Sequence, residues 1–217
     1  MASLAPKQNR SRESLRRLLL SAAEVLQEKG LDAATIPMIA RRAGLSPGSV
    51  YRRFRDKDAL LRTLLLETLT SSEARTAKIL SPELMNRSLD EVVMYLVRTT
   101  LESYRKHAGL MRALTQFARS HPSTSFRKQV DEIEVRNFRR IVDFLLMKRT
   151  AIRHPKPKTA IALALMSFAL SVREIVILDA VSDAWSPVLP RSDAELIEEL
   201  TRAFLSYLRF EPDTPNH

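Results

Sequence analysis

The chain of 217 residues has no cysteine, only four glycines, and no uncharged apolar run of membrane length. Without cysteine there is no disulfide framework, thiolate zinc site, iron–sulfur cluster or cysteine nucleophile, and the lack suits a reducing compartment. Four glycines leave few positions for the positive-φ turns that hairpin-rich proteins need. The longest apolar stretch, Thr159 to Val172, runs straight into Arg173 and Glu174. It is short of the roughly 20 residues of a membrane span. Met1 to Asn9 lacks the apolar core of a signal peptide. The histidines, His107, His121, His154 and His217, form no metal-spaced pair, and there is neither a glycine-rich phosphate loop nor a nucleophile elbow. The expectation is a cytoplasmic protein with no catalytic residues, no metal, no cofactor and no membrane partner.

What is present is ordinary in bulk and uneven in charge. Hydrophobic residues make up 45% and charged residues 28%, as in a globular protein. Of the net charge of +10, residues 1–62 carry +7, with 13 basic and 6 acidic residues. A local positive field attracts polyanions, so nucleic acid or an anionic membrane surface is the natural partner, unless the face is merely solvated.

Apolar spacing and caps predict an all-α chain of about nine helices. After a polar tail at 1–10, Leu15, Leu18, Leu19, Ala22 and Leu26 mark a first helix ended by Gly30. Thr35 caps a helix from Ile36 to Ala43, and Gly44 makes the turn. Ser46 caps a third helix from Pro47 to about Phe54, and Asp56 caps a fourth from Lys57 to about Ile79. Ser88 with Glu91, and Ser192 with Glu195, have capping-box spacing. Further helices are expected to about Lys106, over 110–119, from about Phe126 to Arg149, and over 158–184. The domains expected are a three-helix helix-turn-helix at 11–56, a helical bundle at 57–210 and a tail at 211–217.

At about 100° per residue from Pro47, Val50 and Phe54 share one face of the third helix, while Gly48, Ser49, Arg52 and Arg53 point away and Tyr51 lies on the flank. An eight-residue rod of about 12 Å fits the major groove. The run from Thr35 through Ile39-Ala40-Arg41-Arg42-Ala43-Gly44-Leu45-Ser46-Pro47-Gly48-Ser49-Val50-Tyr51 to Phe54, continued by Asp56-Lys57-Asp58-Ala59-Leu60, resembles the N-terminal signature of TetR-type transcriptional regulators. The resemblance covers about residues 12–64. It implies that Thr35 touches a phosphate, that Ser49, Tyr51 and Arg53 occupy recognition-helix positions, and that Lys57 clamps the DNA backbone. Ser46, Pro47, Gly48 and Arg52 complete the expected DNA-binding set. Arg53 departs from the histidine common at its position, which leaves guanine readout and phosphate contact both open. Thr35 is also simply a helix cap, Tyr51 a possible core aromatic, and Lys57 and Arg52 possible solvated charges; Arg41 and Arg42 read as surface.

The same resemblance implies a small-molecule pocket in the later helices and a homodimer formed by the last two. The expected pocket residues are Tyr104, His107, Gln116, Asn137, Phe168 and Arg173. The expected dimer residues are Ile175, Leu178, Leu196, Leu200, Phe204 and Leu208. Arg173 either anchors an acidic effector or is spent on an ion pair or on solvent. The function expected is a ligand-responsive repressor that binds a palindromic double-stranded operator as a dimer and is released by an unknown effector. The alternative is an architectural or cell-division factor of the same fold without an effector.

Overall fold

The computed structural model describes residues 4–120, 124–177, 190 and 192–209. Among them there are ten α-helices and no strand: α1 Leu4–Ala33, α2 Ile36–Arg42, α3 Pro47–Tyr51, α4 Lys57–Ile79, α5 Pro82–Met85, α6 Leu89–Lys106, α7 Ala108–Ser120, α8 Thr124–Leu146, α9 Pro157–Val172 and α10 Asp193–Arg209.

The caps form as their spacing requires. Ser88 donates its backbone N–H to Glu91 at 2.8 Å, and its hydroxyl oxygen accepts from Glu91 N–H at 3.3 Å. Ser192 and Glu195 repeat the exchange at 3.3 and 3.2 Å. Gly30 interrupts α1 with φ 74°, a value favourable only for glycine, and so breaks the helix as its position predicts. Four expectations change. The segment expected as a disordered tail at 1–10 is helical from Leu4. The third helix ends at Tyr51, because Arg53 N–H turns to Val50 O instead of continuing the ladder, though Phe54 still buries its ring. The short α5, capped by Ser81, stands between the helix expected to about Ile79 and the one expected to about Lys106, where no helix was expected. The helix expected over 158–184 is regular to Val172 and then widens into a π-helical turn at Arg173–Ile177, where the charged pair interrupts the apolar run; its later part, with Leu178, lies outside the described residues, as does the tail at 211–217.

Contacts divide the chain into two units, 1–70 with 107–130, and 71–106 with 131–217. The single boundary expected after Asp56 thus moves to Thr70, and the first unit recovers α7 and the start of α8. The first unit packs Leu18, Ala22, Leu26, Ile39, Val50, Leu60, Leu61, Leu114 and Phe117 into one core. Helices α1 and α7 approach so closely that a Cβ on Gly109 would lie 2.4 Å from the Gln27 carbonyl oxygen. The Gln27 side chain accepts from Leu110 N–H at 2.8 Å. Gly109, just before the helix expected over 110–119, is therefore a close-packing residue inside α7.

In the second unit α10 packs on α6 and α9, and α6 packs on the π-helical turn. Arg105 pairs with Asp193 at 2.9 Å, and Arg209 pairs with Asp90. Arg136 makes two hydrogen bonds to Glu73, at 2.7 and 2.9 Å, and holds that carboxyl below its ordinary value. Pro157–Ile177 is longer than its uncharged stretch and reaches membrane length by composition, but Ala160, Ile161, Ala164, Leu165, Phe168 and Val172 line an inner face buried in the chain's own fold.

Candidate nucleic-acid interface

The α3 helix is held from below and solvated above. Val50 is fully buried and Phe54 nearly so, which fixes the helix on α1 and α2 by an apolar anchor. Its N-terminus is closed by Ser46, whose hydroxyl accepts from Ser49 N–H at 3.2 Å and shares a hydrogen bond with Ser49 Oγ at 2.9 Å. Arg52 Nη2 donates to Ser49 Oγ at 2.8 Å. The two side chains therefore form one polar ridge. Tyr51 is 53% exposed, so it is no core residue. Ser46, Pro47, Gly48, Arg52 and Arg53 are exposed beside it.

The flanking cations are positioned by contacts that spacing along the chain does not show. Arg53 Nη2 donates to Ser11 Oγ at 2.9 Å and to Ser11 O at 3.3 Å, so α1 steers the guanidinium. Lys57 Nζ donates to Leu31 O at 2.6 Å, satisfying a carbonyl at the end of α1. Thr35 accepts from Met38 N–H at 3.4 Å, as a cap, and stays exposed. Arg42 grips Glu28 with two hydrogen bonds, the longer 2.7 Å, and lowers the Glu28 pKa. It is thereby a strut between α2 and α1. Sequence reasoning missed Ser11 as a partner, since 42 positions separate it from Arg53.

The residues expected to line one pocket fall in both units. Gln116 is exposed in the first unit and reaches Asp32 at 3.4 Å, and His107 belongs to that unit too. Tyr104, Asn137, Phe168 and Arg173 belong to the second. Of the residues expected at a dimer interface, Leu196, Phe204 and Leu208 are buried within the chain's own core, while Leu200 and Ile175 are half-buried. The exposed apolar stripe lies instead on α9, where Leu163, Met166 and Leu170 recur at helical spacing. Beside it a groove of about 270 Å³ runs between α9 and α10, lined by Leu163, Ser167, Phe168, Leu200, Phe204 and Tyr207 among others.

Two short helices at a turn, the second anchored by Val50 and solvated along its polar ridge, define a helix-turn-helix domain in an all-helical protein. Residues 18–64 match the sequence profile of the tetR family of bacterial regulatory proteins. It is 27% identical over 130 residues to the HTH-type transcriptional regulator BetI of Cronobacter sakazakii, across 60% of this chain and 62% of that one. The chain thus spans less than two thirds of that relative. In fold it matches a structure assigned to the TetR family of transcriptional regulators from Mesorhizobium loti, with a TM-score of 0.70 and 21% identity over 92% of this chain and 96% of the other. It also matches the transcriptional regulator FadR of Bacillus subtilis in complex with stearoyl-CoA, with a TM-score of 0.60 and 17% identity over 89% and 97%.

Proposed function

We propose that the chain is a transcriptional repressor that reads a palindromic operator as a homodimer and is released by a small-molecule effector. The observation that carries the DNA reading is Gly48. A Cβ there would meet nothing within 4 Å, and its φ lies outside the left-handed region, so neither packing nor backbone conformation within the chain demands glycine. Glycine in a helix costs about 0.5–1 kcal/mol relative to alanine. The sequence keeps that cost on the solvated face beside Tyr51, Arg52 and Arg53, where a close-approaching backbone outside the chain would need the space. Thr35, Ser46 and Lys57 flank this face as phosphate contacts, and Ser49, Tyr51 and Arg53 reach base edges or the adjoining backbone.

The α9 stripe of Leu163, Met166 and Leu170 is the face proposed for pairing, with Leu200 at its margin. Two copies on a twofold axis would set two recognition helices about 34 Å apart, one helical turn of DNA. FadR, a fold relative, was solved with stearoyl-CoA, which supports an effector site in this architecture. An effector acts by favouring a conformation in which the paired helices no longer match groove spacing.

A mobility-shift titration against genomic fragments tests the reading. One fragment should be held against excess bulk competitor, and a reporter placed behind it should be silenced. Equal retention of all fragments would remove the proposal.

A further inference from the structure

Three elements of the second unit each carry a partly buried polar side chain, Tyr104, Asn137 and Arg173, and α6 packs on the π-helical turn. Tyr104, on α6, is largely buried and lies in the fields of Glu134 on α8 and Arg173 on the π-helical turn. Burial raises its pKa, with Glu134 adding to the rise, so the phenol stays protonated at neutral pH. Asn137 stands three residues beyond Glu134, hence on the same face of α8. Its Oδ1 is buried and accepts no hydrogen bond, and Arg173 Nε is buried and donates none. The outer end of Arg173 reaches its neighbour Glu174, at 3.5 Å. Buried polar atoms are nearly always paired, and leaving one unpaired is costly. Here an acceptor and a donor are both unpaired, and the donor stands on a π-helical turn, a feature found mostly at functional sites.

We infer that Tyr104, Asn137 and Arg173 form the head-group site for an effector with an apolar body and a head that both donates and accepts at neutral pH, an amide. The accepting oxygen takes Arg173 Nε–H, with the Tyr104 hydroxyl beside it, and the donating N–H goes to Asn137 Oδ1. The positive charge of Arg173 excludes cationic heads. This assignment rests on the effector-responsive reading above and specifies its ligand class.

Thermal unfolding of the full chain tests it with octanamide, octanoate and octyltrimethylammonium, which share one tail and differ in the head. Octanamide at a hundred times its Kd should raise the wild-type Tm by about 5–10 °C, octanoate at the same concentration, ionised and without a hydrogen for Asn137 Oδ1, should raise it less, and the ammonium should leave it unchanged. Asn137→Leu removes the unpaired acceptor, so the ligand-free Tm should rise by about 2–4 °C while the head-group response disappears. Arg173→Met should also lose the response. A ligand-free Tm that falls in Asn137→Leu, an undiminished response in either variant, stabilisation by the ammonium, an octanoate response equal to that of octanamide, or no response to the amide would each overturn the assignment. If the probes bind through these residues yet leave operator affinity unchanged in the mobility shift, the site stands and the release mechanism fails.

Discussion

At the scale of single residues, the polar face of α3 separates contacts that support the fold from those offered outward. Gly48→Ala should raise stability by about 0.5–1 kcal/mol, since nothing in the chain opposes a methyl there, while weakening specific DNA binding. Urea unfolding paired with a mobility shift reads both quantities, and a variant that binds DNA as well as wild type refutes the clearance role. Gly109→Ala has the opposite physical basis. Its methyl would meet the Gln27 backbone, so a loss of at least about 1–3 kcal/mol is expected in the same unfolding experiment. Both glycines are visible in the sequence, but only the distance to Gln27 tells one role from the other. Lys57→Ala should weaken binding to all sequences and reduce the salt slope by about 1. Because Lys57 also satisfies Leu31 O, some loss of stability accompanies it, and a salt slope equal to wild type would leave only that structural role.

At the scale of elements, the helices most legible in the sequence are those bounded by local chemistry. Ser88 with Glu91 and Ser192 with Glu195 close their helices through contacts three residues apart, within reach of a reader of sequence. Ser88→Ala should cost about 1 kcal/mol, measured by chemical denaturation. The ends of α3 and α9 were less legible. The i to i−4 ladder gives way to a tighter turn after Tyr51 and to a wider one at Arg173. On α9 the apolar composition is nearly continuous, so its pattern could not say which face the core would take. The structure buries Ile161, Leu165, Phe168 and Val172 and leaves Leu163, Met166 and Leu170 outside.

At the scale of the whole molecule, that outward stripe sets the expected assembly. Met166→Glu should convert a dimer in sedimentation equilibrium to a monomer, with helical content retained; a dimer that survives the charge places pairing elsewhere. Acid sensitivity is a second global property. Glu28 is held low chiefly by its hydrogen bonds to Arg42, Glu73 by those to Arg136, and Asp56 by the Ala59 N–H. Each carboxyl titrates lower folded than unfolded. Each therefore stabilises the fold above its unfolded value, and that contribution is lost as pH falls through the folded one. Melting temperature should hold from neutrality down to about pH 5 and then decline, and a Tm constant down to about pH 3 would contradict these pairings.

The sequence by itself determined the helical class, the caps, the basic head and the helix-turn-helix, because each depends on residues within a turn or two of one another. Tertiary structure decided the rest. It tied Arg53 to Ser11 and Arg42 to Glu28, moved 107–130 into the first unit, and spent Leu196, Phe204 and Leu208 on the chain's own core. It also left Asn137 Oδ1 and Arg173 Nε without partners. These outcomes turn on which surfaces meet across long stretches of chain, and a local pattern of apolar and polar residues carries no information about the partner it will meet.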